Sequence, residues 1–226
     1  MTKDNKENLS SPVNQEDFVS EPLPQYLYDE EETPQERFEY DRQGTYTIAD
    51  YMVLPEWQRV ELIDGVFYDM YAPTSVHQIL AADIWMKFKQ HIAKNHGSCI
   101  PIASPLDVQL DRDEKTMVQP DVVVICDRSK ITRERVFGDP DLVVEILSPS
   151  TRKKDMYIKL NKYRAAGVRE YWMVDPDEKT ITVHDFEHDE APAFYSFADQ
   201  VPVGIFGGAC LVDFAEIFED VRFLYE

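Results

Sequence analysis

Cysteine is scarce in this sequence. The three cysteines, Cys99, Cys126 and Cys210, are odd in number, and no two of them have CxxC spacing. A disulfide framework or a zinc ribbon needs more cysteines in closer pairs. We therefore expect three reduced thiols with no catalytic or metal-binding role, as is usual in a cytoplasmic protein.

Long apolar runs are absent as well. No stretch approaches the roughly 20 apolar residues that a membrane-spanning helix needs. The polar residues Met1 to Glu7 are not followed by the apolar segment of a signal peptide. These absences predict a cytoplasmic protein with no membrane partner.

Basic residues are few relative to acidic ones. The sequence has 23 Lys and Arg against 43 Asp and Glu, a formal net charge of −20. Such a charge favours solubility and opposes a nonspecific grip on a polyanion. A surface that binds nucleic acid must therefore concentrate its few basic groups in one place.

Residues 1–43 have the composition of a disordered tail. They contain twelve acidic and four basic residues, recurring prolines and no apolar periodicity. Such a segment cannot bury enough apolar surface to offset the entropy lost on ordering. We predict a solvated acidic extension, with docking to a basic partner as the alternative. The remaining residues, 44–226, suffice for one domain with a sizeable core.

From Gly44 onward the pattern is that of an α/β domain. Periodicity and capping signals predict helices, and continuous runs of Val, Ile and Leu predict strands covered on both faces. A hairpin is expected at Asp64-Gly65. The predicted helices are 47–52, 75–93 with Ser75 and Gln78 at capping-box spacing, 153–166 closed by Gly167, and 213–218. The predicted strands are 99–110, 117–126, 141–147 and 170–174, with β-hairpin material over 180–203.

Two carboxylates lie inside segments that should be buried core. Asp121 opens the run Val122–Ile125, and Glu145 lies within the run 141–147. A buried, unpaired carboxylate is costly, so each needs a partner charge or a metal. Two such groups on neighbouring strands suit Mg²⁺ or Mn²⁺, which prefer oxygen ligands. The alternative is that each forms a structural salt bridge or lies at a strand end.

The helix predicted over 153–166 carries Asp155, Lys159 and Tyr163 at i, i+4 and i+8. This spacing places the three along one side of the helix, bordering its apolar edge. Because the helix follows the Glu145 strand directly, it could direct Lys159 back toward the carboxylates. The alternative is an ordinary surface ion pair between Asp155 and Lys159.

Three further features have plain structural explanations beside functional ones. His77 lies in the first turn of a helix, where the macrodipole favours a neutral imidazole in a capping or packing role. Glu61 is one carboxylate in an otherwise apolar stretch. A basic cluster could be a solvated helix face or a set of phosphate contacts; its members are Arg152, Lys153, Lys154 and Arg164.

Several segments together resemble a known family. They are 61–65 (ELIDG), 75–78 (SVHQ), 120–122 (PDV), 141–151 (DLVVEILSPST) and 167–175 (GVREYWMVD), with Asp155, Lys159 and Tyr163 between the last two. The sequence resembles the Uma-type restriction endonuclease family of bacteria, a branch of the PD-(D/E)xK nuclease superfamily. The resemblance covers roughly residues 45–215, and the run from 141 to 175 is its most specific part.

The resemblance implies a restriction-endonuclease-like α/β core, in which helices flank a central mixed sheet with added β-hairpins. It implies that Asp121 is the aspartate of the PD element and Glu145 the acidic residue of (D/E)xK. The superfamily lysine would stand at Leu147, and its absence there assigns the role to Lys159. Glu61 and His77 match positions that approach the site in such folds.

We therefore expect the protein to be a metal-dependent endonuclease with DNA as its partner. The sequence is also compatible with a homodimer. Asp121 and Glu145 would hold Mg²⁺ or Mn²⁺, whose bound water attacks the phosphodiester, and Lys159 would orient that water or stabilise the transition state. Two alternatives stay open: a nuclease-fold binding or accessory domain without turnover, which the net charge favours, and a hydrolase of RNA or a small phosphodiester.

Overall fold

A six-stranded mixed sheet forms the centre of the protein. The computed structural model describes residues 41–55, 57–110 and 114–226. Across the central sheet the strands run β11 (Ala193–Ser196), β10 (Thr180–Asp185), β9 (Glu170–Asp175), β8 (Leu142–Ile146), β6 (Val122–Ile125) and β3 (Ile100–Ala103). The pair β8–β9 is parallel, and all other neighbours are antiparallel.

Two smaller sheets accompany it. A five-stranded sheet has the order β2 (Val66–Asp69), β1 (Val60–Ile63), β5 (Met117–Val118), β4 (Val108–Gln109) and β7 (Val136–Phe137). The strands β12 (Gln200–Pro202) and β13 (Leu211–Asp213) form an antiparallel pair. The class predicted from the sequence, a mixed sheet flanked by helices with added hairpins, is confirmed.

The helices are α1 (Ile48–Met52), α2 (Ser75–Lys94), α3 (Leu160–Ala166) and α4 (Phe214–Val221). A π-helical segment, Lys154–Lys159, runs directly into α3. Single 3₁₀ turns occur at Arg128–Lys130, Gly204–Phe206 and Arg222–Leu224. Within the part of the chain that the structure describes, no helix has the length and apolar character to cross a membrane.

Alternation along the central strands divides the core in two. Val122 and Val124 pack with α2 and α4 on one face, where Leu80, Ile84 and Phe88 are fully buried. Val123, Ile125 and Val143 point to the other face, where they meet α3 and the five-stranded sheet. Coverage on both faces explains why these strands are continuous apolar runs.

Local signals place several boundaries correctly. Asp64 and Gly65 have φ values of 50° and 78°, as a two-residue hairpin turn requires, and they join β1 to β2. Gly167 ends α3 in the left-handed conformation with φ of 104°. The N-cap of α2 was misplaced, because Thr74 and not Ser75 accepts the hydrogen bond from the backbone of His77.

Two predicted strands are each divided between two sheets. Run 99–110 contains β3 and β4, separated by a cis Ser104–Pro105 peptide, and run 117–126 contains β5 and β6. In both cases the first and second halves pair in different sheets. Run 180–203 is divided as well, since β10 and β11 form the hairpin while β12 pairs with β13. Hydropathy alone does not predict such divisions, because both halves of each run contain apolar residues that suit a strand.

The cysteine prediction is wrong in one respect. Cys99 and Cys126 form a disulfide bond, and Cys210 is free and buried. The two cysteines stand opposite each other, one step beyond the Ile100–Ile125 pair of the β3–β6 ladder. A separation of 27 residues gave no sign of this, because strand register, not sequence spacing, brings the thiols together.

The acidic tail predicted over residues 1–43 lies outside the described residues as far as position 40. Gln43, at its end, exchanges hydrogen bonds of 2.8 and 3.1 Å with the backbone of Phe67.

We expect removal of residues 1–43 to lower Tm by less than about 5 °C, because a segment of this composition contributes little burial. Thermal unfolding of the truncated and full chains measures this, and removal of residues 1–42 isolates the contribution of Gln43. A larger fall in both variants would contradict the prediction.

Candidate active site

The candidate site is a cavity where the chain crosses between the two large sheets. Its volume is about 370 Å³. Both crossing segments line it, through Ser104 and Pro105 after β3 and through Gln119 and Asp121 before β6. The first turn of α2, the end of β8 and the π-helical segment complete the wall. Side chains from all of these elements therefore meet in one cavity.

Asp121 and Glu145 lie side by side in the cavity wall. They stand one step beyond the Val122–Val144 pair of the antiparallel β6–β8 ladder, so the register places them opposite each other. The Oδ2 atom of Asp121 accepts a 2.7 Å hydrogen bond from the backbone N–H of Ile146. The sequence-based expectation that the two carboxylates come together therefore matches the structure.

His77 holds Asp121 from the other side. Its Nε2 lies 3.1 Å from Oδ2 of Asp121. Burial lowers the pKa of the His77 imidazole, but the Asp121 carboxylate outweighs burial and raises that pKa above its ordinary value. The helix dipole favours a neutral imidazole at this position, but Asp121, which is distant in sequence, favours the protonated ring.

Lys159 is buried among three carboxylates. Its Nζ lies 2.7 Å from Oε1 of Glu61, 2.9 Å from Oε1 of Glu145 and 3.5 Å from Oδ1 of Asp155. The side chain is only 4% exposed. Lys159 is therefore not part of a surface ion pair. The helical segment after β8 brings it to Glu145, as its position in the sequence predicted.

The charges in this cluster shift one another's pKa values. Burial lowers the pKa of Lys159, but Glu145 and Glu61 outweigh it, so that pKa stands well above its usual value. Burial raises the pKa of Glu145, and repulsion from Asp121 and Asp155 adds to this against the opposing effect of Lys159. Burial also raises the pKa of Glu61, but Lys159 and Lys154 outweigh burial and hold that pKa below its usual range. The cluster therefore favours the charged form of Lys159, and another positive charge beside Glu145 would favour its carboxylate form.

The π-helical segment presents this cluster to the cavity. Asp155 and Lys159 within it are 2% and 3% exposed. Tyr163, one turn later in α3, donates a 2.6 Å hydrogen bond to Oε1 of Glu145. Widened helical turns recur at functional sites because they redirect side chains that a regular helix would place elsewhere.

The basic cluster predicted to contact phosphates is largely occupied. Arg152 forms a two-bond ion pair with Asp175, and Arg164 contacts Asp189. Lys154 points inward and donates to Oε2 of Glu61. Lys153 is exposed and makes no ion pair with any described residue. Sequence could not reveal these acidic partners, which lie on other elements.

Asp121 and Glu145 each have one carboxylate oxygen that is available to a metal ion. Both contacts of Asp121 fall on Oδ2 and both contacts of Glu145 on Oε1, which leaves Oδ1 and Oε2 for the cavity. In residues 41–55, 57–110 and 114–226, no group of three or more His, Cys, Asp or Glu side chains is placed to hold a metal ion. Two carboxylate oxygens nevertheless fit Mg²⁺, which keeps several waters and binds through one or two carboxylates.

The sequence did not predict Gln119 or Arg59 as residues of the site, although both line the cavity. Gln119 donates its backbone N–H to Oε1 of Glu61 at 2.9 Å, and its side-chain oxygen accepts a 3.2 Å bond from Arg59. Only the position of Gln119, two residues before Asp121, could have indicated it. Nothing in the sequence pattern marks Arg59.

Comparisons with known proteins give one family match and one curated relative. The profile of the Uma2 family, "Putative restriction endonuclease", matches residues 48–203. A Synechocystis sp. protein, "Uncharacterized protein slr1290", is 31% identical over 116 residues, which are 50% of this chain and 60% of that protein. The chain thus spans less than two thirds of that relative.

A solved structure from Anabaena variabilis, titled "a putative nuclease belonging to DUF820", has a similar fold. The TM-score is 0.64 at 20% sequence identity, and the match covers 76% of this chain and 97% of the other. At this identity the likeness shows the fold alone.

Proposed function

Because the chain belongs to the Uma2 family, we propose that it is an endonuclease that hydrolyses phosphodiester bonds in DNA with a divalent metal ion, Mg²⁺ or Mn²⁺. The observation that carries the proposal is the pair Asp121 and Glu145. Each has one oxygen fixed by protein donors and the other left for the cavity, beside the buried ammonium of Lys159.

Asp121 and Glu145 would hold the ion through Oδ1 and Oε2. A divalent ion bound there would lower the pKa of a water and neutralise charge on the phosphoryl oxygens. It would also offset the burial and the repulsion from Asp121 that together raise the pKa of Glu145. The backbone carbonyl of Ile146, next to Glu145, is a third candidate ligand.

The other residues of the cluster position these groups. His77 and the Ile146 N–H fix the Asp121 carboxylate, and Tyr163 fixes that of Glu145. Lys159, whose pKa is raised by Glu145 and Glu61, cannot serve as a base near neutral pH. Its role is to place a fixed positive charge beside the reacting phosphoryl group, where negative charge grows in the transition state. Glu61 holds that ammonium in place.

Metal binding is the direct test. We expect calorimetric titration with Mn²⁺ to detect one site in the wild type and at least a 10-fold weaker site in Asp121→Asn and in Glu145→Gln, since each variant loses one ligand. Asp177→Asn is the control, because Asp177 lines the same cavity but lies outside the cluster. Equal binding by all four proteins would refute the shared site.

A second candidate, a binding domain without turnover, has one observation in its favour. The buried carboxylates already have cationic partners within the chain, Lys154 and Lys159 for Glu61 and Lys159 for Glu145. Incubation with Mg²⁺ or Mn²⁺ and a set of DNA and RNA substrates separates the two candidates. Cleavage that Asp121→Asn abolishes supports the endonuclease, and binding without cleavage supports the alternative.

A further inference from the structure

Two residues on the cavity wall have no role in the carboxylate cluster. Arg59 precedes β1, and Tyr71 follows β2 by two residues. The two are neighbours, because the backbone N–H of Met70 donates a 3.0 Å hydrogen bond to the carbonyl of Arg59. Both line the cavity, and Tyr71 is 68% exposed.

The charge of Arg59 is not neutralised by the described residues. The other cations of the cavity wall are paired: Lys154 and Lys159 with Glu61, and His77 with Asp121. Arg59 instead donates to the uncharged amide oxygen of Gln119 at 3.2 Å. An amide orients the guanidinium and leaves its charge and its other donors available, and these fit the two oxygens of a phosphate.

Gln119 fixes Arg59 relative to the carboxylate cluster. Its backbone N–H bonds Glu61, while its side-chain nitrogen donates to Tyr51 at 3.0 Å and to Asp107 at 2.9 Å. Gln119 therefore links the guanidinium of Arg59 to Glu61, the carboxylate that pairs with Lys159. A phosphate bound by Arg59 would neighbour the phosphate bound at Lys159, as adjacent phosphates do along one strand.

Tyr71 offers a flat apolar surface at the same rim. No aromatic ring of the described residues stacks on it. Around it the cavity wall is apolar, with Met70, Pro73, Pro105 and Pro149. A tyrosine exposed beside an unpaired arginine is the combination on which proteins stack the bases of single strands.

Size and charge argue against a duplex in the same place. A volume of about 370 Å³ is near the lower end of pockets that enclose one small ligand. A duplex is held mainly by several unpaired cations that neutralise phosphates. Three of the four basic residues flanking the site, Arg152, Lys154 and Arg164, are already bound to carboxylates.

We propose that Arg59 and Tyr71 form a nucleotide subsite, in which Tyr71 stacks on an unpaired base and Arg59 binds the phosphate next to the one that is cut. The substrate is then single-stranded nucleic acid, or a single-stranded segment of a larger one. This rests on the proposed function for the identity of the cut bond, but binding to the subsite needs no metal.

Fluorescence anisotropy in EDTA tests the subsite apart from cleavage. The probes are a labelled 12-nucleotide oligothymidylate, an oligouridylate of equal length, and a 12-base-pair duplex. We expect the wild-type chain to bind a single strand at least about 10-fold more tightly than the duplex. The preferred single strand, DNA or RNA, identifies the sugar that the subsite accepts.

Matched variants assign the binding to the two residues. Tyr71→Ala should weaken single-strand binding by roughly 5- to 150-fold, the range of one base–aromatic stack, while Tyr71→Phe keeps it. Arg59→Met should reduce the slope of log affinity against log salt by about 1. Tyr157→Ala and Arg128→Met are controls, since both side chains are exposed and neither lines the cavity.

Several results would overturn the subsite: no single-strand binding by the wild-type chain, duplex binding of equal or greater affinity, or equal effects of Tyr71→Ala and Tyr157→Ala. Cleavage assays then separate this inference from the endonuclease itself. Asp121-dependent cleavage of duplex alone would remove the subsite and leave the endonuclease. Single-strand binding that needs Arg59 and Tyr71, without cleavage by Mg²⁺ or Mn²⁺, would leave the subsite and remove the endonuclease.

Discussion

Asp121→Asn is expected to reduce cleavage by more than about 100-fold while the protein stays folded. Removing a residue that only supports a metal ligand typically costs about 10- to 100-fold, so loss of a direct ligand should cost more. Asparagine keeps the shape of the side chain and an oxygen that can accept from the Ile146 N–H. Initial cleavage rates with Mg²⁺, measured beside thermal unfolding, give both quantities.

Asp127→Asn is the matched control for this result. Asp127 flanks the opposite end of the same strand, β6, where its carboxylate caps a 3₁₀ turn through the N–H of Ser129. Asparagine caps as well as aspartate, so Asp127→Asn should leave both the stability and the cleavage unchanged. Equal loss of cleavage in both variants would mean that the effect of Asp121→Asn does not come from loss of a metal ligand.

Lys159→Met is expected to reduce cleavage by roughly 100-fold or more and also to lower the stability. The cleavage effect follows from loss of the charge beside the phosphoryl group. The stability effect follows because Glu61 and Glu145 lose their buried partner, a change that costs about 3–5 kcal/mol. For a domain of this size that corresponds to a fall in Tm on the order of 10 °C. Cleavage is therefore compared well below both melting temperatures.

Two further variants separate catalysis from stability. Lys162→Met removes a lysine of the same helix that pairs with Asp64 and should leave cleavage intact. Adding Glu61→Gln to Lys159→Met removes one of the repelling carboxylates and should recover part of the stability but none of the cleavage. Recovery of both together would make Lys159 a structural residue. Cleavage lost in Lys162→Met but kept in Lys159→Met would mean that the catalytic lysine is misassigned.

Much of the fold follows from short segments of the sequence. The turn at Asp64-Gly65, the end of α3 at Gly167 and the buried strands β6 and β8 are encoded within a few residues each, by allowed backbone angles and by hydropathy. The same local logic singles out Asp121 and Glu145, because a carboxylate inside an apolar run is costly wherever the strand lies.

What the sequence could not decide depends on contacts between distant residues. Strand register pairs Cys99 with Cys126 and divides two apolar runs between sheets. Lys154, predicted from the sequence as a phosphate contact, pairs with Glu61, which lies on a different element. Composition and periodicity determined which segments would be buried and where charge would be costly. Only the tertiary structure decided which charges meet, since an ion pair forms wherever folding brings two groups within a few ångströms, whatever their separation along the chain.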